Sequence, residues 1–452
     1  MYVHFFLYFC TMKSLNSQIL RLAIPSILAN ITIPLVGVVD TAIVGHIANA
    51  TYIGGIAIGT MLFDLLYWNF GFLRVGTSGM TAQAYGRGNH LECARLLSQS
   101  LAIALAGAAL IWLLQWLFVT VALALVPCSA EVAAFAREYF FIRVWAAPAT
   151  LALMAFKGWF IGMQDTLSPM ITDIVVNLVN MLVSYALAVY TPLGALGVAY
   201  GTLVAQISGL LLAILLFLFR YRTIWSDVSL WRLARDAQGI KRLMSLNGNL
   251  FIRSLCFMVV YVGFTSLASH FGDVELAVST IMMKLFMLFS YFVDGFAYAG
   301  EALVGKEWGA SRLSSCASSS HRLTKVVRLL FLWSLAVGLL FTLLFSLCSE
   351  HCYRAMTSDV FVLARLTHYT GWLIAMPIVS TLAFMWDGVY AGATAGKHIR
   401  NAMIYAAVGF LISYLATYWW LGIQGVYIAY FVHLLARVFY LTFAWHPLLN
   451  RL

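Results

Sequence analysis

The chain has 452 residues, of which 63% are hydrophobic and 15% aromatic, while 10% carry a charge. A water-soluble protein of this length needs far more polar surface, so the composition excludes a soluble globular fold and indicates an integral membrane protein. The formal net charge of +10 does not indicate nucleic-acid binding, because the lysines and arginines cluster in short connections between apolar stretches.

Residues 1–11 are apolar, but they are too short to span a bilayer and lack the basic start of a signal peptide. We therefore expect translation to begin at Met12. The seven cysteines show no metal-ligand spacing. Cys348 and Cys352 lie close enough in sequence to pair, but we favour unpaired thiols.

Twelve apolar stretches have the length of membrane-spanning helices, so we predict an all-α membrane protein. Basic residues concentrate in alternate connections, which predicts that both termini are cytoplasmic. The charged segment 221–245 is the natural cytoplasmic linker between an N-terminal six-helix lobe, residues 12–220, and a C-terminal six-helix lobe, residues 246–452. The predicted spans are residues 19–47, 52–81, 94–126, 132–162, 169–190, 194–219, 246–270, 275–305, 324–348, 359–392, 399–420 and 424–445.

The two halves repeat at an offset of about 222–230 residues. Gly158 and Gly162, for example, recur as Gly388 and Gly392. Because each half has an even number of spans, both halves enter the membrane from the same side. This predicts a pseudo-two-fold axis along the membrane normal and a cleft between the lobes, where transporters commonly place their substrate site. Other matched pairs are His46 with His270, Gly71 with Gly295, Gly76 with Gly300, and Gly194 with Gly422.

The first span contains one carboxylate, Asp40, and two prolines, Pro25 and Pro34. Ionisable residues are costly inside a bilayer and usually mark a proton relay, an ion site or a substrate path. Each proline removes a backbone hydrogen bond and allows a bend, so we expect this helix to change shape when Asp40 changes charge. A structural aspartate bonded to a neighbouring helix is the alternative, and we favour the functional role.

The fifth span carries an acid, two amides and a hydroxyl at a spacing of four, three and four residues, which puts all of them on one helix face. Lipid cannot satisfy such a stripe. Hydrogen bonding between helices explains it equally well when the stripe is considered alone. Because Asp40 is expected at the depth of the last two members, a shared proton or cation site becomes the better account, with Thr202 of the sixth span completing it. The four residues of the stripe are Asp173, Asn177, Asn180 and Ser184.

The second and eighth spans also carry polar side chains at a three-four spacing, and Tyr67 and Tyr291 occupy equivalent positions of the repeat. These faces suit opposite walls of a central cleft, although internal ion pairing explains any single residue equally well. The seventh span has no carboxylate where the first has Asp40, so we expect the coupling chemistry in the first lobe. The predicted cleft-lining residues are Tyr67, Arg74, Lys284, Tyr291, Asp294, Tyr298 and Glu301.

Lys157 and Asp387 hold equivalent repeat positions near the predicted cytoplasmic ends of the fourth and tenth spans. One speculative hypothesis pairs them across the cleft when its inner side is shut. We favour the simpler expectation that each side chain snorkels to the membrane surface.

Four stretches carry a family resemblance: Pro34-Leu-Val-Gly-Val-Val-Asp40-Thr-Ala-Ile-Val-Gly-His46, Thr81-Ala-Gln-Ala-Tyr-Gly86, Gly158-Trp-Phe-Ile-Gly162 and Asp294-Gly-Phe-Ala-Tyr-Ala-Gly-Glu301-Ala. From about residue 15 to 445 the chain resembles the MATE (multidrug and toxic compound extrusion) family, most closely its DNA-damage-inducible DinF branch. The resemblance implies a cation-coupled exporter of organic, often cationic or amphipathic compounds, built as two six-helix lobes in a V.

By the same resemblance, Asp40 matches an acid whose protonation is linked to bending of the first helix at Pro25. Asn177, Asn180 and Thr202 match polar members of the same site. Related proteins often carry a second aspartate where this chain has Ser184. Its absence removes a sodium ligand and makes proton coupling the simpler expectation.

We therefore expect a secondary active multidrug exporter that works by alternating access, with H+ as the coupling ion, Na+ as the alternative, and no cofactor or metal. Its expected partners are small-molecule substrates and the lipid bilayer, not nucleic acid. We expect a monomeric, multi-pass protein of the bacterial cytoplasmic (inner) membrane.

Three other classes fit less well. A flippase for lipid-linked precursors would need a strongly cationic cleft and usually more spans, whereas the basic residues here are in loops. A membrane enzyme would need a nucleophile with its base or a metal set such as His-Glu-x-x-His, and the sequence shows neither. A channel does not explain the repeat.

Overall fold

The computed structural model describes residues 2–47, 50–126, 128–225, 236–312 and 317–449, and this part of the chain is helical apart from short turns. Twelve of its segments are long and apolar enough to cross a membrane, which confirms the predicted all-α membrane fold. The linker residues 226–235 and the side chain of His46 lie outside the described structure. The helices are Tyr2–Ile47, Ala50–Trp68, Phe72–Gly86, His90–Leu125, Ala130–Arg143, Ala147–Gly162, Leu167–Tyr190, Gly197–Arg220, Arg222–Trp225, Ala237–Ser269, Asp273–Ser311, Ala317–Met356, Val360–Gly392, Gly396–Leu421 and Gln424–Leu449, with 3₁₀ turns at Val144–Ala146 and Gly194–Leu196.

The second predicted span is not one helix but two, Ala50–Trp68 and Phe72–Gly86. The side-chain amide of Asn69 donates to the carbonyl of Leu65 at 2.7 Å, so a side chain occupies a backbone acceptor of the last turn. The helix ends here, and the polar stripe predicted along one continuous face is interrupted by the turn.

The fourth predicted span is also broken, by one 3₁₀ turn between Arg143 and Ala147. Pro148 explains the break, because it has no N–H to donate to the carbonyl of Val144. The indole N–H of Trp112 donates to that carbonyl instead, at 3.0 Å. The break leaves Arg143 at the C-terminal end of a helix, where the helix dipole stabilises a cation.

By its internal contacts the chain divides into two compact units. The first-lobe unit is Leu28–Ser245, and the second-lobe unit combines Met1–Ile27 with Leu246–Leu452. The break after residue 245 coincides with the end of the predicted linker. The other boundary differs from the predicted N-terminal lobe of residues 12–220, because the start of the first span packs within the second-lobe unit.

Two contacts account for that difference. Gly295 of the eighth span lies so close to the first helix that an added Cβ would stand 2.9 Å from the carbonyl oxygen of Ala23. The indole N–H of Trp333 donates to Asn16 Oδ1 at 3.0 Å. A glycine contact and a directional hydrogen bond thus hold the beginning of the first helix in this unit.

The predicted repeat recurs as an equivalent packing arrangement inside each unit. Gly158 and Gly162 of the fourth span lie against the backbone of the second span, and Gly388 and Gly392 of the tenth span lie in the same way against the eighth. A side chain at any of these positions would collide with backbone atoms, so the close approach requires glycine. The positive-φ residues that follow the two helices are equivalent as well: Gln164 (64°) and Thr394 (52°).

Candidate cation-coupling site

Two amide side chains of the fifth span reach neighbouring spans within the first-lobe unit. Asn177 Nδ2 donates to Thr32 Oγ1 of the first span at 2.5 Å, and Asn180 Nδ2 donates to Thr202 Oγ1 of the sixth span at 2.9 Å. Each threonine hydroxyl in turn donates to a carbonyl one turn back in its own helix, at 2.7 and 3.1 Å. These bonds join three spans through three of the residues predicted to form the site.

Small residues bring the fifth and sixth spans close enough for these bonds. Gly197, Gly201 and Gly209 share one face of the sixth span. A Cβ added at Gly201 would lie 2.7 Å from both N and Cα of Ser184, and one added at Gly197 would lie 2.6 Å from the backbone nitrogen of Ala188. Helices in membranes commonly associate through such small-residue faces. Backbone contact therefore sets the spacing across which the amide–hydroxyl bond forms.

Asp40 is half-buried and follows Thr32 by eight residues on the first helix. Eight residues rise about 12 Å, and the seven residues from Asn177 to Ser184 rise about 10.5 Å. Because the first and fifth spans run in the same direction, the bond between Thr32 and Asn177 places Asp40 near the depth of Ser184. Within the described part of the chain, Asp40 Oδ1, Asn180 Oδ1 and Ser184 Oγ are buried and have no hydrogen-bond partner. Asn180 lies one turn, about 6 Å, before Ser184. Such unpartnered oxygens are rare in folded proteins, so the stretch between these two residues suits a proton, a cation or water.

Arg143 is a charged neighbour of Asp40 that the sequence analysis did not single out. Its guanidinium donates to Tyr139 Oη at 3.2 Å and stands 4.8 Å from the centre of the Phe63 ring. Its charge acts on both Asp40 and Asp64. No ion pair joins it to either carboxylate in the described structure. A signal was present in the sequence, because an arginine inside an apolar span is as unusual as an aspartate.

Asp173 is held at one end of the fifth-span stripe by a different partner. Its carboxylate forms an ion pair with Lys157 Nζ of the fourth span. The polar stripe of the fifth span therefore has two parts. Asp173 is in an ion pair, and the amides that begin one turn later are hydrogen-bonded to neighbouring spans. The expectation that the side chains of Lys157 and Asp387 snorkel to the membrane surface is wrong, because Lys157 pairs with Asp173 and Asp387 accepts from Arg253 at 2.6 Å and from Arg437 at 2.8 Å. The pairing of Lys157 with Asp387 in a closed state stays a hypothesis. Each acid satisfies its charge inside its own unit.

The predicted cleft-lining residues are divided between the two units. Tyr67 and Arg74 lie on either side of the turn in the second span, and both are half-buried. On the eighth span, Lys284 is exposed and Glu301 is buried. The cleft itself stays a prediction. The other three residues predicted to line it, Tyr291, Asp294 and Tyr298, are half-buried.

The predicted bend positions lie in an unbroken helix. Tyr2–Ile47 continues through Pro25 and Pro34. The boundary between the two units falls between them, at Ile27 and Leu28. Two missing backbone hydrogen bonds therefore flank the point where the helix passes from one unit to the other.

Comparisons with known proteins agree with this architecture. The family model described as MatE matches residues 25–186 and 250–419, one stretch in each half. DNA damage-inducible protein F of Escherichia coli (strain K12) is 34% identical over 438 residues, which cover 96% of this chain and 93% of that protein. Multidrug and toxin extrusion protein 1 of Oryctolagus cuniculus is 24% identical over 399 residues, covering 86% of this chain and 67% of that protein.

Solved structures show the same fold. The Vibrio cholerae MATE transporter VcmN in the bent form superposes with a TM-score of 0.86 at 18% identity, covering 98% of both chains. A crystal structure of MATE in complex with MaD3S gives a TM-score of 0.86 at 17% identity, covering 96% of this chain and 97% of that one. With one family match in each half and a relative 34% identical over nearly its whole length, the chain belongs to the MATE family, and it is a transporter and not an enzyme.

Proposed function

We propose that this MATE transporter exports organic, often cationic or amphipathic compounds by proton-coupled antiport, with Asp40 as the residue that exchanges the proton. The observation that carries the proposal is the set of buried, unpartnered oxygens of Asp40, Asn180 and Ser184 in the first-lobe unit, with Asp40 and Ser184 at a similar depth and Asn180 one helical turn before Ser184. The name of the rabbit relative, multidrug and toxin extrusion protein, supports the kind of cargo. The charge pattern of the loops supports an orientation with both termini in the cytoplasm. We also propose that the protein is a monomer of the cytoplasmic membrane.

In this mechanism Asp40 takes up a proton from outside and releases it to the cytoplasm. Each inward charge is driven by about 2.3 kcal/mol per 100 mV of membrane potential, before any pH gradient is counted. Protonation removes the charge from the first helix, favours a bend at Pro25, and expels substrate from the cleft. A solved relative whose crystal structure is described as the bent form supports a shape change of this kind.

Two features favour a proton over sodium as the coupling ion. The fixed positive charge of Arg143 opposes any added positive charge beside Asp40, and a proton tolerates this better because it forms a covalent O–H bond, whereas Na+ depends on electrostatic contacts with several oxygens. Ser184 supplies a neutral hydroxyl where a second carboxylate would strengthen a cation site. Sodium remains the second candidate, because Asn180 Oδ1 and Ser184 Oγ are unpartnered oxygen ligands. The argument against a flippase was that the basic residues lie in loops. It is weakened by Arg143, Arg253 and Arg437, which lie within spans.

Asp40→Asn tests the proposal, because it keeps the shape of the side chain and removes its exchangeable proton. In proteoliposomes free of sodium, we expect the wild-type protein to release protons when substrate is added and the variant to release none. Asp173→Asn is the matched control, because that acid is paired with Lys157 outside the hydrogen-bonded group. We expect the control to retain proton release.

Both variants should elute as folded protein, and Asp173→Asn should unfold at a somewhat lower temperature because Lys157 loses its partner. Undiminished antiport by Asp40→Asn would refute the proposal that Asp40 exchanges the coupling proton. If transport is driven by an imposed sodium gradient and not by a proton gradient, the coupling ion is sodium and not H+, and the proposed export function still holds.

A further inference from the structure

A second group of charged side chains lies inside the second-lobe unit. Arg253 of the seventh span and Arg437 of the twelfth both donate to the same oxygen, Oδ2, of Asp387 on the tenth span, at 2.6 and 2.8 Å. His433 lies one turn before Arg437, and the charges of Arg437 and Asp387 both act on it. Arg437 and His433 are each 1% exposed. Three helices thus bring two arginines, one acid and one histidine together.

The charges of this group do not balance. Two guanidinium groups against one carboxylate leave a single positive charge. In the described residues of this unit, no second carboxylate pairs with either arginine. An uncompensated charge is unfavourable where solvent cannot reach it, and Arg437 is almost fully buried, so a negative partner beside it would stabilise this group.

The same side chains also have N–H groups left over. Arg437 Nη1 and Arg253 Nε are buried and have no hydrogen-bond partner in the described structure, and neither ring nitrogen of His433 makes a bond of normal geometry, although the Ala406 carbonyl lies near the ring. Guanidinium nitrogens donate and never accept. Whatever satisfies them must therefore be an acceptor, and an anionic one also supplies the missing charge.

An aromatic ring covers one side of the group, and one of its arginines is partly exposed to solvent. The ring of Phe384 lies 5.4 Å from Arg437 Cζ and covers that guanidinium. The side chain of Arg253 keeps 27% of its surface exposed. By the predicted orientation, this open side lies toward the cytoplasmic end of the seventh span. Arg253 is therefore the part of the group that solvent reaches.

From the charge count and the unused donors, we propose that the second-lobe unit binds a small monovalent anion, either a halide ion or the carboxylate of an organic acid, between Arg253, Arg437 and His433 beside Asp387. A single negative charge neutralises the group, whereas a divalent ion would reverse its sign. The proposal is independent of the proton chemistry assigned to Asp40, because every residue it uses lies in the other unit.

Thermal unfolding of the full-length protein in an uncharged detergent tests the proposal. Sodium chloride, or sodium formate in a second arm, replaces sodium isethionate at constant ionic strength, with isethionate as the larger reference anion. We expect the unfolding temperature to rise by a few degrees and then saturate, as it does when a ligand binds the folded state alone. The arm that responds at the lower concentration identifies a halide or a carboxylate as the preferred ligand.

Arg253→Gln is the informative variant, because it leaves Asp387 and Arg437 as a neutral pair. We expect it to lose the anion-dependent rise. Arg365→Gln is the matched control: it removes an arginine of the same unit that pairs with Glu275 at 3.1 Å, and it should keep the rise. An equal rise in both variants, or no rise in the wild type with either anion, would overturn the proposal.

Crystals of the wild-type protein grown in bromide give a measurement that does not depend on how well a variant folds. We expect an anomalous difference peak within hydrogen-bond distance of the Arg437 and Arg253 nitrogens. Bromide data without such a peak, together with no response to formate, would also overturn the proposal.

Discussion

Gly201→Ala offers a direct test of how the backbone of the sixth span positions the candidate site. The added methyl group would lie 2.7 Å from two backbone atoms of Ser184, whereas ordinary contact begins at 3.4 Å. The fifth and sixth spans must then separate by about 0.7 Å, since backbone atoms cannot rotate away. The 2.9 Å bond between Asn180 and Thr202 would lengthen to about 3.6 Å, which is too long for a hydrogen bond.

The expected cost combines two contributions. Overpacking costs about 1–3 kcal/mol, and the lost hydrogen bond costs about 1 kcal/mol. The better helix propensity of alanine offsets up to about 1 kcal/mol of that. We therefore expect a net loss of about 1–3 kcal/mol, seen as a lower unfolding temperature, together with reduced substrate-induced proton release in proteoliposomes.

Gly54→Ala is the matched control in the same unit, because its added Cβ would stand 3.7 Å from the side chain of Val132. We expect its stability to stay within about 1 kcal/mol of the wild type and its transport to be unchanged. If Gly201→Ala were as stable and as active as Gly54→Ala, the fifth and sixth spans would not be in the close backbone contact described above.

Two further predictions concern Arg143 and the break in the fourth span. Arg143→Gln removes the fixed positive charge near Asp40, so we expect sodium to begin to stimulate transport. The measurement is substrate uptake with sodium added at constant ionic strength. Transport that does not depend on sodium in this variant would contradict the role given to Arg143. Trp112→Phe leaves the Val144 carbonyl without its 3.0 Å hydrogen bond, so we expect a loss of about 1–3 kcal/mol of stability in thermal unfolding. An unchanged unfolding temperature would show that another group satisfies that carbonyl.

Apolar length and repeated glycines were enough to predict most of the fold. The twelve spans follow from runs of hydrophobic residues that a bilayer demands. The equivalence of Gly158 with Gly388 is visible in sequence because close backbone contact admits no other residue there. The breaks inside two spans are harder to predict: Pro148 indicates the one in the fourth span, whereas the turn at Asn69 depends on a side-chain bond that competes with the helix.

The candidate site was predicted in part, for a similar reason. Spacing along one helix shows that Asn177 and Asn180 share a face, but it does not show which neighbour each side chain contacts. Asp173 lies on nearly the same face, and its partner, Lys157, comes from a helix that one sequence cannot place beside it. Arg437 lies in a span whose sequence is mostly apolar. Its pairing with Asp387 depends on how three helices pack, which one sequence does not show.

The first helix has a mechanical consequence. Asn16, bonded to Trp333, and Asp40 are 24 residues apart on one continuous helix, about 36 Å along its axis. The helix begins in one unit and carries its acid in the other. The proposed bend at Pro25 falls between the Asn16 contact and Asp40, so under the proposed mechanism protonation of Asp40 would turn the two parts of this helix relative to each other. A substitution that makes the helix more flexible between Pro25 and Pro34 should then weaken the coupling before it weakens the binding of either proton or cargo.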